Sequence, residues 1–199
     1  MADGRRVAAP GDLRLTIGAH HEAGHVVVAG ALGLRLRSEG IMVDTAAEGL
    51  GCYCKEPGES DTLRERVMVA TFAGCFAENR FRQEQLSLPP LDYFSIIWSL
   101  DWWEARGIAT KLSNTYLAGR SVSAIQDELE QQSKDIVAEN WPTIEAVASS
   151  LLAQAWEPTK PLNSGKEWST QSMAKCISGE RVAEILKRFS ITAVCVPEC

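Results

Sequence analysis

Histidine is almost absent from this chain of 199 residues. There are three, His20, His21 and His25, and all lie in the stretch Ala19-His-His-Glu-Ala-Gly-His25. Imidazole chemistry is therefore confined to one short segment, and any further metal ligand must be a carboxylate or a thiolate. Long apolar runs are missing too. None approaches the roughly 18 residues that a membrane span needs. The first ten residues carry Arg5 and Arg6 with no apolar stretch behind them, so no export signal is read there. A cytoplasmic location is the resulting expectation. There is no excess of basic charge: the net charge is -6 and the pI near 5.2, which speaks against a nucleic-acid partner. No Gly-x-x-x-x-Gly-Lys-Ser/Thr phosphate loop, internal repeat or low-complexity segment occurs.

What is present is the composition of an ordinary globular domain, with 45% apolar and 23% charged residues. The length suits one domain with a sizeable core. Six cysteines could suggest a disulfide framework, but the chain is too long and too rich in core residues to need one, and no export signal is read. Cys52 and Cys54 alternate in a strand-like run and read as two residues on one face. Cys75 reads as core, and Cys195 and Cys199 as free thiols in a tail.

The pattern predicts a mainly α fold with one small sheet or hairpin close behind the first helix. Residues 1–12 read as a flexible tail, 13–190 as the domain and 191–199 as a C-terminal tail. A buried helix is expected over 13–32, since Val26 to Leu32 is apolar on nearly every side. Short strands follow at 41–43 and 50–54. The next helix starts near Ser60 or Asp61, with Leu63, Val67, Ala70, Gly74, Ala77 and Phe81 inward. A third ends near Tyr116, with Leu100, Trp103, Ile108 and Leu112 inward. Helices from Ser121 and from Pro142 come next, then a loop over 156–172 and a last helix over 179–189.

His21-Glu22-Ala23-Gly24-His25 reads H-E-x-x-H. On a helix, His21 and His25 lie one turn apart on the same face and can reach one ion, while Glu22 is placed to take a proton from water. Zinc suits such ligands, and a catalytic zinc keeps one position for water, whose pKa falls from 15.7 to roughly 7. Glu22 can then pass the proton to the leaving amine of a cleaved amide. His20 points about 100° away around the helix and reads as a supporting or surface residue, not a ligand. The third ligand is open among Asp101, Asp92 and Glu78, with the cysteines behind them. For Glu78 the competing role is support of a ligand or helix packing, and for Asp92 a helix N-cap after Pro89-Pro90.

Residues 19–29 resemble the zinc motif of the FtsH-type metallopeptidases, the proteolytic domain of membrane AAA proteases, with His20 where that family typically has tyrosine. Glu48-Gly-Leu-Gly-Cys52 resembles the family's strand ending in Leu-Gly-Tyr. Val69 to Glu78 resembles its second helix, with Ala-Gly-x-x-Ala-Glu. Asp101 followed by Ala105, Ile108 and Ala109 resembles its third helix, whose aspartate is the third zinc ligand. Asp92, followed by Ile96, Ser99 and Leu100, lacks that pattern. Choosing Asp101 implies about nine extra residues in the preceding loop, a small entropic cost.

The resemblance spans roughly residues 13–190. It implies an ATP-independent zinc metalloendopeptidase with His21, His25 and Asp101 as metal ligands and Glu22 as general base. The substrate would be a polypeptide, pairing with an edge of the sheet, and a separate unfoldase or adaptor would do any unfolding. An oligomer is compatible with this reading. Trp102 and Trp103 read as core packing rather than cleft lining. Two rival readings remain: a catalytically inactive binding or regulatory module on the same fold, and a zinc hydrolase of a non-peptide amide.

Overall fold

A computed structural model describes residues 10–46, 49–54, 60–91, 99–115, 117–158 and 173–197, with side chains from residue 13 onward apart from that of Cys52. The elements are α1 (Pro10–Ala31), β1 (Leu36–Asp44), β2 (Gly49–Tyr53), α2 (Asp61–Leu86), α3 (Leu100–Asn114), α4 (Val122–Glu139), α5 (Trp141–Leu152), β3 (Glu157–Pro158), β4 (Met173–Ile177), α6 (Gly179–Arg188) and β5 (Cys195–Val196). The protein is mainly helical with a small sheet, as the sequence predicts. No described helix is long and apolar enough to cross a membrane.

α1 is the central element. Val26, Val27, Val28 and Ala29 are all fully buried, which explains why a run of β-branched residues stays helical: burial outweighs a propensity deficit of a few tenths of a kcal/mol per residue. α2 runs antiparallel against it. Crossing is close at Gly24, where a Cβ would lie 2.7 Å from both the Ala73 carbonyl oxygen and the Ala77 Cβ. α5 packs on α1 as well, and its Ile144, Val147, Ala148 and Leu151 are fully buried.

The sheet order is β2-β1-β4-β3, with β5 pairing in parallel with the start of β1. β1 pairs antiparallel with β2 and β4, and its ladder with β2 shifts register between Leu36 and Ile41. Gly40 sits at that irregularity with φ 71° and its backbone pressed on Ser178 and Gly179, a place closed to any side chain.

Several expectations need correction. Leu100 and Trp103 are not inward: they are 81% and 53% exposed. Only Leu112 of that set is fully buried, with Ile108 partly so. The stripe on α3 is carried instead by Ala105, Ala109 and Leu112, and the two small alanines let α3 approach α2. The expected loop over 156–172 contributes β3 at its start. β4 was not anticipated, because Met173-Ala-Lys-Cys-Ile177 lacks clear alternation. The expected C-terminal tail is partly tied down, since Cys195–Val196 is a strand of the sheet. Cys54 is disulfide-bonded, which the reading of Cys52 and Cys54 as plain strand residues did not include. Asp92, Tyr116, Cys199 and the N-terminal tail to residue 9 lie outside the described residues.

Candidate metal centre

His21 and His25 project from one face of α1 toward α2. Their rings lie 4.9 Å apart, edge to face. His25 Nδ1–H donates to the Ala70 carbonyl oxygen at 2.8 Å. A carbonyl only accepts, so this bond places a proton on Nδ1 and turns Nε2 toward Asp101. His21 Nδ1 lies 3.2 Å from Glu78 Oε2, and Arg82 in turn sits 3.8 Å from the other oxygen of Glu78. Both rings are thus held from behind by α2, one by a carbonyl and one by a carboxylate. Histidines that bind metals are characteristically oriented in this way.

The two Nε2 atoms converge on Asp101. Its Oδ2 lies 3.0 Å from His21 Nε2 and 3.4 Å from His25 Nε2. Asp101 is delivered by the first turn of α3. Ser99 caps that helix, its hydroxyl accepting from the Trp102 backbone N–H at 3.2 Å, and the helix N-terminus favours a carboxylate. Burial alone would push the Asp101 carboxyl up, but His25 and His21 hold it well below the usual carboxylate range. Burial would likewise lower His21, yet Asp101 and Glu78 hold its pKa well above the ordinary 6.5.

The donor set can be tested against an ion. Ligand atoms bound tetrahedrally at about 2.0–2.1 Å lie about 3.3 Å from one another. The separations of 3.0 and 3.4 Å straddle that figure. Space is reserved as well: a Cβ on Gly74 would lie 2.6 Å from His21 Nε2 and closer still to His25 Nε2. Two imidazole nitrogens, each on a ring whose Nδ1 is already partnered, and one carboxylate oxygen are a donor set that suits a four-coordinate ion with one position left.

Glu22 is buried beside these groups, under β2. A Cβ on Gly49 would lie 2.6 Å from Glu22 Cδ, and one on Gly51 3.3 Å from Glu22 Oε2. Two glycines in β2 therefore make room for the carboxylate. A cleft of about 380 Å³, lined by Ile17, His21, Glu22, Gly49 and Glu78 among others, opens there. A larger cavity of about 480 Å³ between α2, α3 and α4, lined by Phe76, Arg80, Trp102 and Lys134, includes none of these groups. Its size does not make it the site, since chemistry needs the converging donors.

Of the residues singled out in the sequence, His21, His25, Glu22 and Asp101 come together, and Glu78 supports His21 from the side away from Asp101. His20 turns the other way. It is 5% exposed, donates from Nδ1 to the Thr16 carbonyl at 2.8 Å and stacks on Phe81 with ring centroids 3.9 Å apart. It belongs to the core and not to the surface, and burial lowers its pKa. Trp102 packs partly against the core with Arg106 over its ring, whereas Trp103 does not. Sequence reading missed Gly49, Gly51 and the reason for Gly74. The available signal was a glycine inside a helix, which costs roughly 1 kcal/mol against alanine and calls for a close approach to account for it. It also placed Cys75 simply in the core. That thiol is buried and pushed up to about 11 by burial, but it faces Ser99 and lies beside His21 and Asp101. No protein-family model matches the chain, and no curated protein matches it either.

Proposed function

We propose that this protein is a zinc-dependent endopeptidase that needs no ATP, with His21, His25 and Asp101 as the ligands and Glu22 as the general base. One observation carries the reading: two imidazoles held through Nδ1 present both Nε2 atoms to one carboxylate, with the buried Glu22 adjacent. The resemblance of these segments to FtsH-type peptidases supports the same assignment. Zinc would supply Lewis acidity, polarising the scissile carbonyl and making water acidic enough to give up a proton near neutral pH.

The protein's own groups do the rest. Glu22 takes the proton of the attacking water and delivers it to the departing amine, so that proton gain and loss balance over one turnover. Glu78 holds the His21 ring in place and, as an acceptor at Nδ1, raises the basicity of Nε2. β2 forms an end of the sheet in the order β2-β1-β4-β3 and runs past Glu22 at Gly49. An extended polypeptide adding to that edge would be bound by its backbone and carried across the cleft, which gives loose sequence preference.

The test is cleavage of unfolded casein by the purified protein, abolished by a chelator and restored by zinc. A protein that binds zinc but cleaves no peptide under these conditions would be a binding module or a hydrolase of another amide.

A further inference from the structure

The candidate centre has a fourth potential ligand that no part of the peptidase reading uses. Cys75 follows Gly74 on α2, the residue whose backbone lies against both Nε2 atoms. The ligand atoms of His21, Cys75 and Asp101 all lie within 4.8 Å of one another, and Asp101 in turn is 3.4 Å from His25 Nε2. The thiol is buried beside these groups, 4% exposed, with Ser99 Oγ at 3.9 Å.

We propose that Cys75 Sγ is a fourth protein ligand of the metal, giving a closed resting site of two imidazoles, a carboxylate and a thiolate from which the sulfur must detach before hydrolysis. The proposal rests on the metal-binding reading above. The geometry asks little: with bonds of about 2.3 Å to sulfur and 2.0–2.1 Å to nitrogen or oxygen, ligand atoms sit about 3.6 Å apart, so relative to His21 and Asp101 the sulfur needs to approach by at most about 1.2 Å, within reach of a side-chain rotation. On binding, the S–H bond breaks, the sulfur keeps the electron pair and donates it to the ion, and the proton leaves to solvent. No electron is transferred. Four protein ligands are the mark of structural zinc sites and three of catalytic ones, so the state of Cys75 decides which kind this centre is at a given moment.

Cobalt replaces zinc and reports the ligands by absorption. The stripped wild-type protein reconstituted with cobalt(II) is expected to bind one ion and to show sulfur-to-cobalt charge transfer in the near ultraviolet. Cys75→Ala should still bind one ion but lose that band, release metal to a chelator at least ~10-fold faster and cleave casein faster than wild type. Cys75→Ser, which keeps the volume and polarity of the position, should lose the band in the same way if the alanine variant folds poorly. A cobalt-bound wild type without the band, or a band that survives in both variants, overturns the role of Cys75 while leaving His21, His25 and Asp101 as ligands. Failure of the wild type to bind cobalt at all overturns both readings together.

Discussion

Glutamine in place of Glu22 keeps the shape of the side chain under Gly49 and Gly51 but can no longer accept a proton. Glu22→Gln is expected to retain bound zinc and to lose hydrolysis by about 10²–10⁴-fold, measured as casein cleavage beside metal analysis. Full activity in that variant would remove Glu22 from the mechanism. Asp101→Ala should lower zinc content sharply, since it withdraws the one oxygen that both imidazoles face. Asp92→Ala should leave zinc content unchanged, and the reverse pattern would move the ligand to Asp92. Glu78→Gln, which weakens the hold on His21 Nδ1, should cost about 10–100-fold in metal affinity without abolishing binding. Glu22, Asp101 and Glu78 thus separate by readout: loss of catalysis without metal loss, metal loss, and graded affinity.

α2 serves the centre along one face, with Ala70, Gly74 and Glu78 spaced one turn apart. Its backbone holds His25, its glycine leaves the room and its carboxylate holds His21. Gly74→Ala therefore sets two effects against each other. Alanine favours the helix by roughly 1 kcal/mol, but its methyl occupies the place of the converging Nε2 atoms. Because the atoms it meets are the ends of side chains and not backbone, the rings swing aside and the fold survives. The expected outcome is a thermal midpoint in the stripped protein close to that of wild type, with metal binding lost; a variant that binds zinc normally would show that the space beside Gly74 is not needed. α3 depends on its cap in turn. Ser99→Ala removes the acceptor for the Trp102 N–H, costing about 1 kcal/mol and loosening the turn that carries Asp101.

At the scale of the whole molecule, the proposed centre joins α1 to α2 and α3, so on that reading zinc binding and folding stability are linked. At a free zinc concentration of 100 times Kd the folded state gains about 2.7 kcal/mol, which calorimetry reads as a higher Tm. The sign of the pH dependence follows from the two shifted groups. His21 has a raised folded pKa, so in the stripped protein its ion pair contributes fully below the ordinary 6.5 and is lost as pH rises through the raised value. Asp101 is depressed, so its contribution is present above the ordinary 3.8 and lost as pH falls through the lowered value. The stripped protein therefore draws most from this pair between those ordinary values. Zinc needs an unprotonated imidazole and must displace the proton from His21. The gain in Tm on adding zinc should accordingly be small near pH 5.5 and larger at pH 8, and an equal gain at both would contradict the coupling between His21 and Asp101.

The mainly helical class, the small sheet, the burial of α1 and the pairing of His21 with His25 were legible in the sequence because they depend on local periodicity: a turn of helix puts residues four apart on one face whatever surrounds it. The confinement of histidine to one segment also directed the search to carboxylates. The choice of Asp101 rested on resemblance, and its position 80 residues from His21 is a matter of how α3 docks on α2. The outward Leu100 and Trp103, the inward His20, β4 and the strand at Cys195–Val196 were not legible, since each is decided by which neighbour covers a surface or completes a ladder. The same holds for Gly49, Gly51, Gly74 and Cys75. Local sequence set which groups exist and on which helical face they stand. Only tertiary packing decided which of them share a few ångströms of space, because those separations arise between elements far apart along the chain.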